Sequence, residues 1–308
     1  MIRTVGLTKT YGKYKAVDDL NLHIAKGSCF GFVGPNGAGK STTMSVLATL
    51  LEPTSGHAYV GGFDVMEEPS NVRQLIGYMP DFFGVYDNLT AVEYLEFYAG
   101  AYKVPKENRM ALIKDLLELV NLSGKADAYV DTLSRGMKQR LGLARCLIHD
   151  PEVLILDEPA SGLDPRARIE MKEILKELRD MGKTILISSH ILPELAEMCD
   201  TIGIIEQGKL IAQAPVDQIA AQVAGHRVLR VRLLDRMEEA AQLLEQSELV
   251  TRADIEGNAL LVTYTGDDAG QVILLSALIK NGLPVLSFAE EAGNLEEVFL
   301  TVTKGVGS

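Results

Sequence analysis

Gly34-Pro35-Asn36-Gly37-Ala38-Gly39-Lys40-Ser41-Thr42 fits the pattern G-x-x-x-x-G-K-[ST], a glycine-rich turn between a strand and a helix. The apolar run Cys29–Val33 before it predicts a buried parallel strand. Thr42–Leu51 after it has the length and apolar stripe of a helix. Glycines let successive backbone N–H groups close around one polyphosphate, and the following helix points the positive end of its dipole at the same place. Lys40 has the reach to contact β/γ oxygens, and the Ser41 hydroxyl suits Mg²⁺. The stretch reads as a nucleotide site.

The chain of 308 residues has room for one large domain, or for a large and a small one. Its composition, 47% hydrophobic and 23% charged, is that of an ordinary soluble globular protein. With 30 basic against 42 acidic residues the net charge is −12, which opposes non-specific attraction to nucleic acid or anionic lipid. Cys29, Cys146 and Cys199 are widely spaced and form no C-x-x-C pair, so they read as reduced thiols of a cytosolic protein. The chain opens into strand-like sequence, without a signal peptide, and no apolar stretch approaches the roughly 20 residues of a spanning helix. A cytosolic protein is expected, unless a partner holds it at a membrane.

Strands are predicted near Ala16–Ile24, His57–Val60, Leu75–Met79, Val153–Leu156 and Thr184–Ser188, with a hairpin over Ile202–Ala212. Helical spacing covers Thr90–Tyr102, Lys106–Val120, Ser134 to about Ile148, Arg166–Met181 and Ile191–Cys199. Thr90 and Glu93 make a capping box. The helical block, about residues 85–150, interrupts an α/β pattern whose alternation implies a mainly parallel sheet covered on both faces. Beyond about Gly225 the order becomes β-α-β-β-α-β, a split βαβ unit, with strands near Arg227–Leu234, Leu249–Ile255, Ala259–Tyr264 and Pro284–Phe288. Its helices are expected at Arg236–Gln246 and Ala269–Lys280, with a last one at Leu295–Val302.

Val153-Leu154-Ile155-Leu156-Asp157-Glu158 is a buried strand whose two acids emerge at its carboxyl end, where ligands of open α/β sheets bind. Asp157 is placed to hold Mg²⁺ and Glu158 to take a proton from an attacking water. Leu133-Ser134-Arg135-Gly136-Met137-Lys138-Gln139-Arg140, just upstream, resembles the signature motif of the ABC ATPases. Ser161–Pro165 is similar to their D-loop, His190 stands where their switch histidine stands, and Tyr11 matches the aromatic that stacks on adenine. Leu295–Leu300 resembles the C-terminal part of ABC-2-type exporter ATPases. Taken alone, Ser134 is a plain helix cap, His190 a satisfied polar residue and Tyr11 a surface aromatic.

The resemblance implies a P-loop NTPase of ABC ATPase type over 1–222, with mixed sheet core, antiparallel β subdomain and helical subdomain. A small α+β domain would follow over 225–308. It implies ATP held by Tyr11, Val17 and Gly34 through Thr42, and Mg²⁺ held by Ser41, Asp157 and Asp81. Glu158, His190 and Lys40 would be catalytic. Two copies would sandwich ATP, each completing the other's site through Ser134, Arg135, Gly136 and Asp164. A separate membrane permease would dock at the Asp81–Tyr86 loop and the helical subdomain, on the cytoplasmic face of the membrane.

Two positions depart from the family pattern. Asp81 stands where glutamine is usual, and remains a hard oxygen ligand. Arg135 stands where glycine is usual, and either adds a cation near the γ-phosphate or points to solvent. The aromatics of Asp81–Tyr86 read either as core packing or as a groove for a partner's helix. A soluble ABC ATPase of ribosomes or DNA would carry two cassettes or a long coiled-coil insert, which this chain lacks. A metabolic P-loop kinase is opposed by the signature motif and His190. No nucleic-acid partner is expected.

Overall fold

The computed structural model describes residues 1–82, 84, 88–217 and 227–291. The chain divides into two compact units, Met1–Ala214 and Pro215–Ser308. The boundary expected at 222–225 lies outside the described residues, as do the final helix Leu295–Val302 and most of the aromatic loop, Phe83 and Val85 to Tyr86.

The first unit is built on two sheets. One is antiparallel and contains β1 (Ile2–Tyr11), β2 (Tyr14–Leu20), β3 (His23–Ile24), β5 (Ser55–Val60) and β6 (Phe63–Asp64). The other has six strands. These are β4 (Cys29–Val33), β7 (Ile76–Met79), β8 (Val153–Leu156), β9 (Thr184–Ser189), β10 (Thr201–Glu206) and β11 (Lys209–Pro215). Its order is β11-β10-β4-β9-β8-β7, and the pairs from β10 to β7 are parallel. Every residue of β4, β8 and β9 is buried, as continuous apolar strands covered on both faces must be. The β10–β11 turn uses Gln207 and Gly208 at φ 49° and 81°, the pair of positive angles a type I′ hairpin requires.

Helix α1 (Lys40–Leu47) starts two residues earlier and stops four earlier than its apolar stripe predicts. Thr49 takes φ 61°, its N–H bonds Val46 O, and Leu50 N–H bonds Ser45 O. That is a Schellman ending with threonine where glycine is usual, so no punctuation marks it in the sequence. Helix α2 (Pro69–Leu75), with proline in its first turn, has no counterpart in the sequence reading.

Between the neighbouring strands β7 and β8 the chain leaves the sheet for α3 (Ala91–Ala101), α4 (Lys106–Leu119) and α5 (Arg135–Leu147). The capping box at α3 is complete. Thr90 Oγ1 accepts from Glu93 N–H at 3.3 Å, and the Glu93 carboxylate accepts from Thr90 N–H at 2.8 Å. The bonds its carboxylate accepts, first from Thr90 N–H and then from the Thr90 hydroxyl at 3.0 Å, hold the Glu93 carboxyl below its ordinary range. Helix α5 packs on α4 and, through Gly77, directly on β7, where an added Cβ would lie 2.6 Å from Cys146 O. Helix α6 (Pro165–Asp180) follows β8, and α7 (Leu192–Ala196) is shorter than the helix expected at Ile191–Cys199.

In the second unit the order is β12 (Arg227–Leu233), α8 (Met237–Glu245), β13 (Val250–Glu256), β14 (Ala259–Tyr264), α9 (Asp268–Lys280) and β15 (Val285–Glu291). The strands form one antiparallel sheet in the order β13-β14-β12-β15. Leu229, Val231, Leu260, Val262 and Tyr264 supply the sheet side of its core, and Ala240, Leu244, Leu274 and Leu278 the helix side.

Replacing Thr90 with alanine removes the acceptor for one orphan N–H at the start of α3. The expected cost is about 1 kcal/mol, read as a lower midpoint of the first unit's transition in urea.

Candidate nucleotide site

The P-loop is held by contacts that leave no room for side chains. An added Cβ on Gly34 would lie 2.2 Å from Ile205 O, and one on Gly39, at φ 108°, would lie 2.4 Å from Ala16 O. Gly208 N–H bonds Ala38 O, and Asp18 N–H bonds Gly208 O, so loop, β2 and the β10–β11 turn are tied together. Gly37, at φ 82°, meets nothing within 4 Å. Lys40 is buried and donates to Gly34 O at 2.5 Å and Pro35 O at 3.3 Å.

Across the loop stand the ends of β8 and β9. Asp157 is 2% exposed, and its N–H continues the ladder to Met79 O. Ser188 Oγ donates to Asp157 Oδ1 at 2.6 Å and accepts from Glu158 N–H at 2.9 Å. His190 Nδ1 lies 2.9 Å from Glu158 Oε2, and Lys40 Nζ 3.7 Å from Glu158 Oε1. That Oε1 is buried and makes no hydrogen bond among the described residues.

A cavity of about 370 Å³ opens between these groups, lined by Tyr11, Tyr14, Ala16, Asn36 to Thr42, Asp81, Glu158, Ser161 and His190. The structure thus brings Tyr11, Lys40, Ser41, Thr42, Asp81, Glu158 and His190 together. Tyr11 is half exposed with Lys9 Nζ 5.3 Å from its ring centre, and Tyr14 donates its hydroxyl to Gly37 O at 2.9 Å. Val17 is wholly buried in the core and does not line the cavity.

The signature stretch lies outside this cavity, and of the D-loop stretch Ser161 alone lines it among the described residues. Ser134 caps α5, its Oγ accepting from Met137 N–H at 3.3 Å, and Asp164 caps α6, accepting from Ala167 N–H at 2.9 Å. Gly136 has a role inside its own chain, because a Cβ there would lie 2.7 Å from Ala167 Cβ. Arg135 is exposed, but its guanidinium covers Gly162, whose added Cβ would lie 2.5 Å from Nη1. The side chain therefore lies over the D-loop-like turn.

The site fits a nucleoside triphosphate. Its cradle has glycine at Gly34 and Gly39, where no Cβ fits, and the buried Lys40 ammonium closes one side. It also fits Mg²⁺, although no cluster of three acidic, histidine or cysteine side chains suited to a metal occurs among the described residues. Magnesium needs few protein ligands, since waters and substrate phosphates complete its octahedron, and Ser41, Asp157 and Asp81 are hard oxygen donors.

Ser188 and Tyr14 escaped the sequence reading. A hydroxyl within the buried strand Thr184–Ser189 was the available signal for Ser188, since it must find a partner there. Cys29, Cys146 and Cys199 are free and buried, and burial raises the Cys146 and Cys199 thiols, which keeps them protonated.

A family profile described as ABC transporter matches residues 17–161. The bacitracin transport ATP-binding protein BcrA of Bacillus licheniformis is 37% identical over 307 residues, covering 99% of this chain and 98% of that protein. The daunorubicin/doxorubicin resistance ATP-binding protein DrrA of Streptomyces peucetius is 36% identical, covering 98% and 92%. Among solved structures, an ATP-binding subunit of an ABC transporter superposes with TM-score 0.65 at 29% identity over 72% of this chain and 92% of that one. A dimeric ATP-binding cassette in a post-hydrolysis state with ADP and Pi gives TM-score 0.65 at 26% identity, over 70% of this chain and 99% of that one.

Gly39→Ala is expected to weaken ATP binding about tenfold or more, because the Cβ collides with backbone and must move the cradle. Gly182→Ala, at φ 87° with open space around it, is the control. It should lose about 1–2 kcal/mol of stability and keep ATP affinity. Titration with a fluorescent ATP analogue and urea melts separate the two effects.

Proposed function

Since this chain belongs to the ABC transporter family as an ATP-binding subunit, we propose that two copies of it hydrolyse ATP between them and drive export through a separate membrane permease. The observation that carries this reading is the meeting of Lys40, Glu158 and His190 around a glycine cradle that suits a polyphosphate.

In this reading the backbone of Gly34 to Thr42 and the Lys40 ammonium bind the β- and γ-phosphates, and Tyr11 stacks on the base. Ser41, Asp157 and Asp81 would hold Mg²⁺, which would supply charge neutralisation for the phosphates. Glu158 accepts the proton of the attacking water, and His190 orients the Glu158 carboxylate and the γ-phosphate. Phosphoryl transfer asks the protein mainly for position and charge, which these residues provide.

A second copy would close the cavity over the bound nucleotide. Ser134, Arg135, Gly136 and Asp164 of that copy would supply the closing surface. Arg135 supports this. A cation in the first turn of α5 stands at the positive end of the helix dipole, where its own helix disfavours it and an anion would be welcome. The dimeric cassette among the solved structures is consistent with such a pair.

The partner is an integral-membrane permease, received at the Asp81–Tyr86 loop and the α3–α4 insert, so that the chain works on the cytoplasmic face. No helix among the described residues is long and apolar enough to cross a membrane. Of the aromatics in that loop Phe82 is described, and it exposes 88% of its surface, which favours contact with a partner over core packing for that side chain. Export, rather than uptake, follows the relative named for daunorubicin/doxorubicin resistance.

Glu158→Gln tests the reaction. Turnover should fall by about 10²–10⁴-fold, with ATP still bound and the protein migrating as a dimer on size exclusion. Near-normal turnover would reject the assignment. Asp81→Asn should raise the Mg²⁺ concentration for half-maximal ATPase, and an unchanged value would remove Asp81 from the metal.

A further inference from the structure

We propose that Ser188 is a positioning residue for ATP hydrolysis, fixing the backbone of Glu158 so that its carboxylate stands over the γ-phosphate side of the site. This rests on the reading of Glu158 as general base. It adds a residue that neither the motif pattern nor the cavity lining includes.

Ser188 belongs to β9, all six of whose residues are buried. A hydroxyl there is unfavourable unless it is fully bonded. Ser188 Oγ is bonded on both sides, and both partners belong to the catalytic stretch. It donates to Asp157 Oδ1 at 2.6 Å, a short bond of the charge-assisted kind, and accepts from Glu158 N–H at 2.9 Å.

The second bond has a specific task. Glu158 has φ 50°, in the left-handed region that residues with a Cβ rarely occupy. The β8 ladder has ended one residue earlier, where Asp157 N–H meets Met79 O. Glu158 N–H thus has Ser188 as its acceptor, and that bond holds the residue in its disfavoured turn. Two positions further along the same strand end, His190 Nδ1 meets Glu158 Oε2 at 2.9 Å. The strand and the residue just beyond it therefore grip a single residue twice, Ser188 by its backbone and His190 by its carboxylate. Through its other bond Ser188 also fixes Asp157 relative to Glu158, so that metal-side acid and base keep one geometry.

Alanine at this position deletes one buried oxygen and leaves the strand's packing in place. In the full-length protein with Mg²⁺, Ser188→Ala should lower kcat about tenfold or more, as expected for a displaced reacting group. The dissociation constant for ATP should stay within about threefold of wild type, since the cradle is untouched. Ser188→Thr restores the hydroxyl on a residue suited to a strand, and should recover kcat to within about threefold. Thermal melts of both variants report that the fold is kept.

Three results would overturn the proposal: wild-type kcat in S188A, loss of ATP affinity in step with kcat, or S188T as impaired as S188A. Comparison with E158Q separates it from its premise. If E158Q is inactive and S188A is normal, Glu158 remains the base and Ser188 has no positioning role. If E158Q turns over normally, the base assignment itself falls.

Discussion

Two missing Cβ atoms set the geometry of the nucleotide-binding unit. Gly34 lies against Ile205 O and Gly39 against Ala16 O, at separations that no side chain survives. The loop is thereby wedged between the end of β2 and the β10–β11 hairpin, joining the antiparallel sheet to the parallel one. From that wedge α1 must start at Lys40, and Lys40 must face the acids at the end of β8. The parallel strands deliver those acids to the same edge because the carboxyl ends of β10, β4, β9, β8 and β7 all point one way. Binding site and fold are held by the same contacts.

Much of this was readable from residue order. Cys29–Val33, Val153–Leu156 and Ala259–Tyr264 are apolar runs with glycine, proline or acidic punctuation, and the strands coincide with them. Asp157 and Glu158 had to emerge at a strand end because four buried residues precede them. The order of the second unit followed from its alternating apolar pattern, and its sheet places β12 at the centre.

What was not readable depends on contacts between distant residues. Thr49 ends α1 because Val46 O and Ser45 O need donors, a demand that local composition does not announce. Ser188 acquires meaning only when β9 is laid beside β8. Gly136 is implied by resemblance as part of the other copy's ATP site, yet Ala167 of its own chain already requires it to be small. Arg135 offered two orientations in sequence, and Gly162 supplies the surface on which it lies.

That last pair has a mechanical consequence. Gly136 seats α5 on α6 at Ala167, Arg135 covers Gly162, and Arg140 pairs with Glu170 at 3.0 Å while donating to Val120 O and Asn121 O at the end of α4. These attachments join the end of α4, α5 and the start of α6 into a single stiff plate. A force applied to α4 cannot slide one helix past the other, because each attachment would have to break at once. It must tilt the plate as a whole, so that the turn at Ser134 and the turn at Gly162 advance or retreat together.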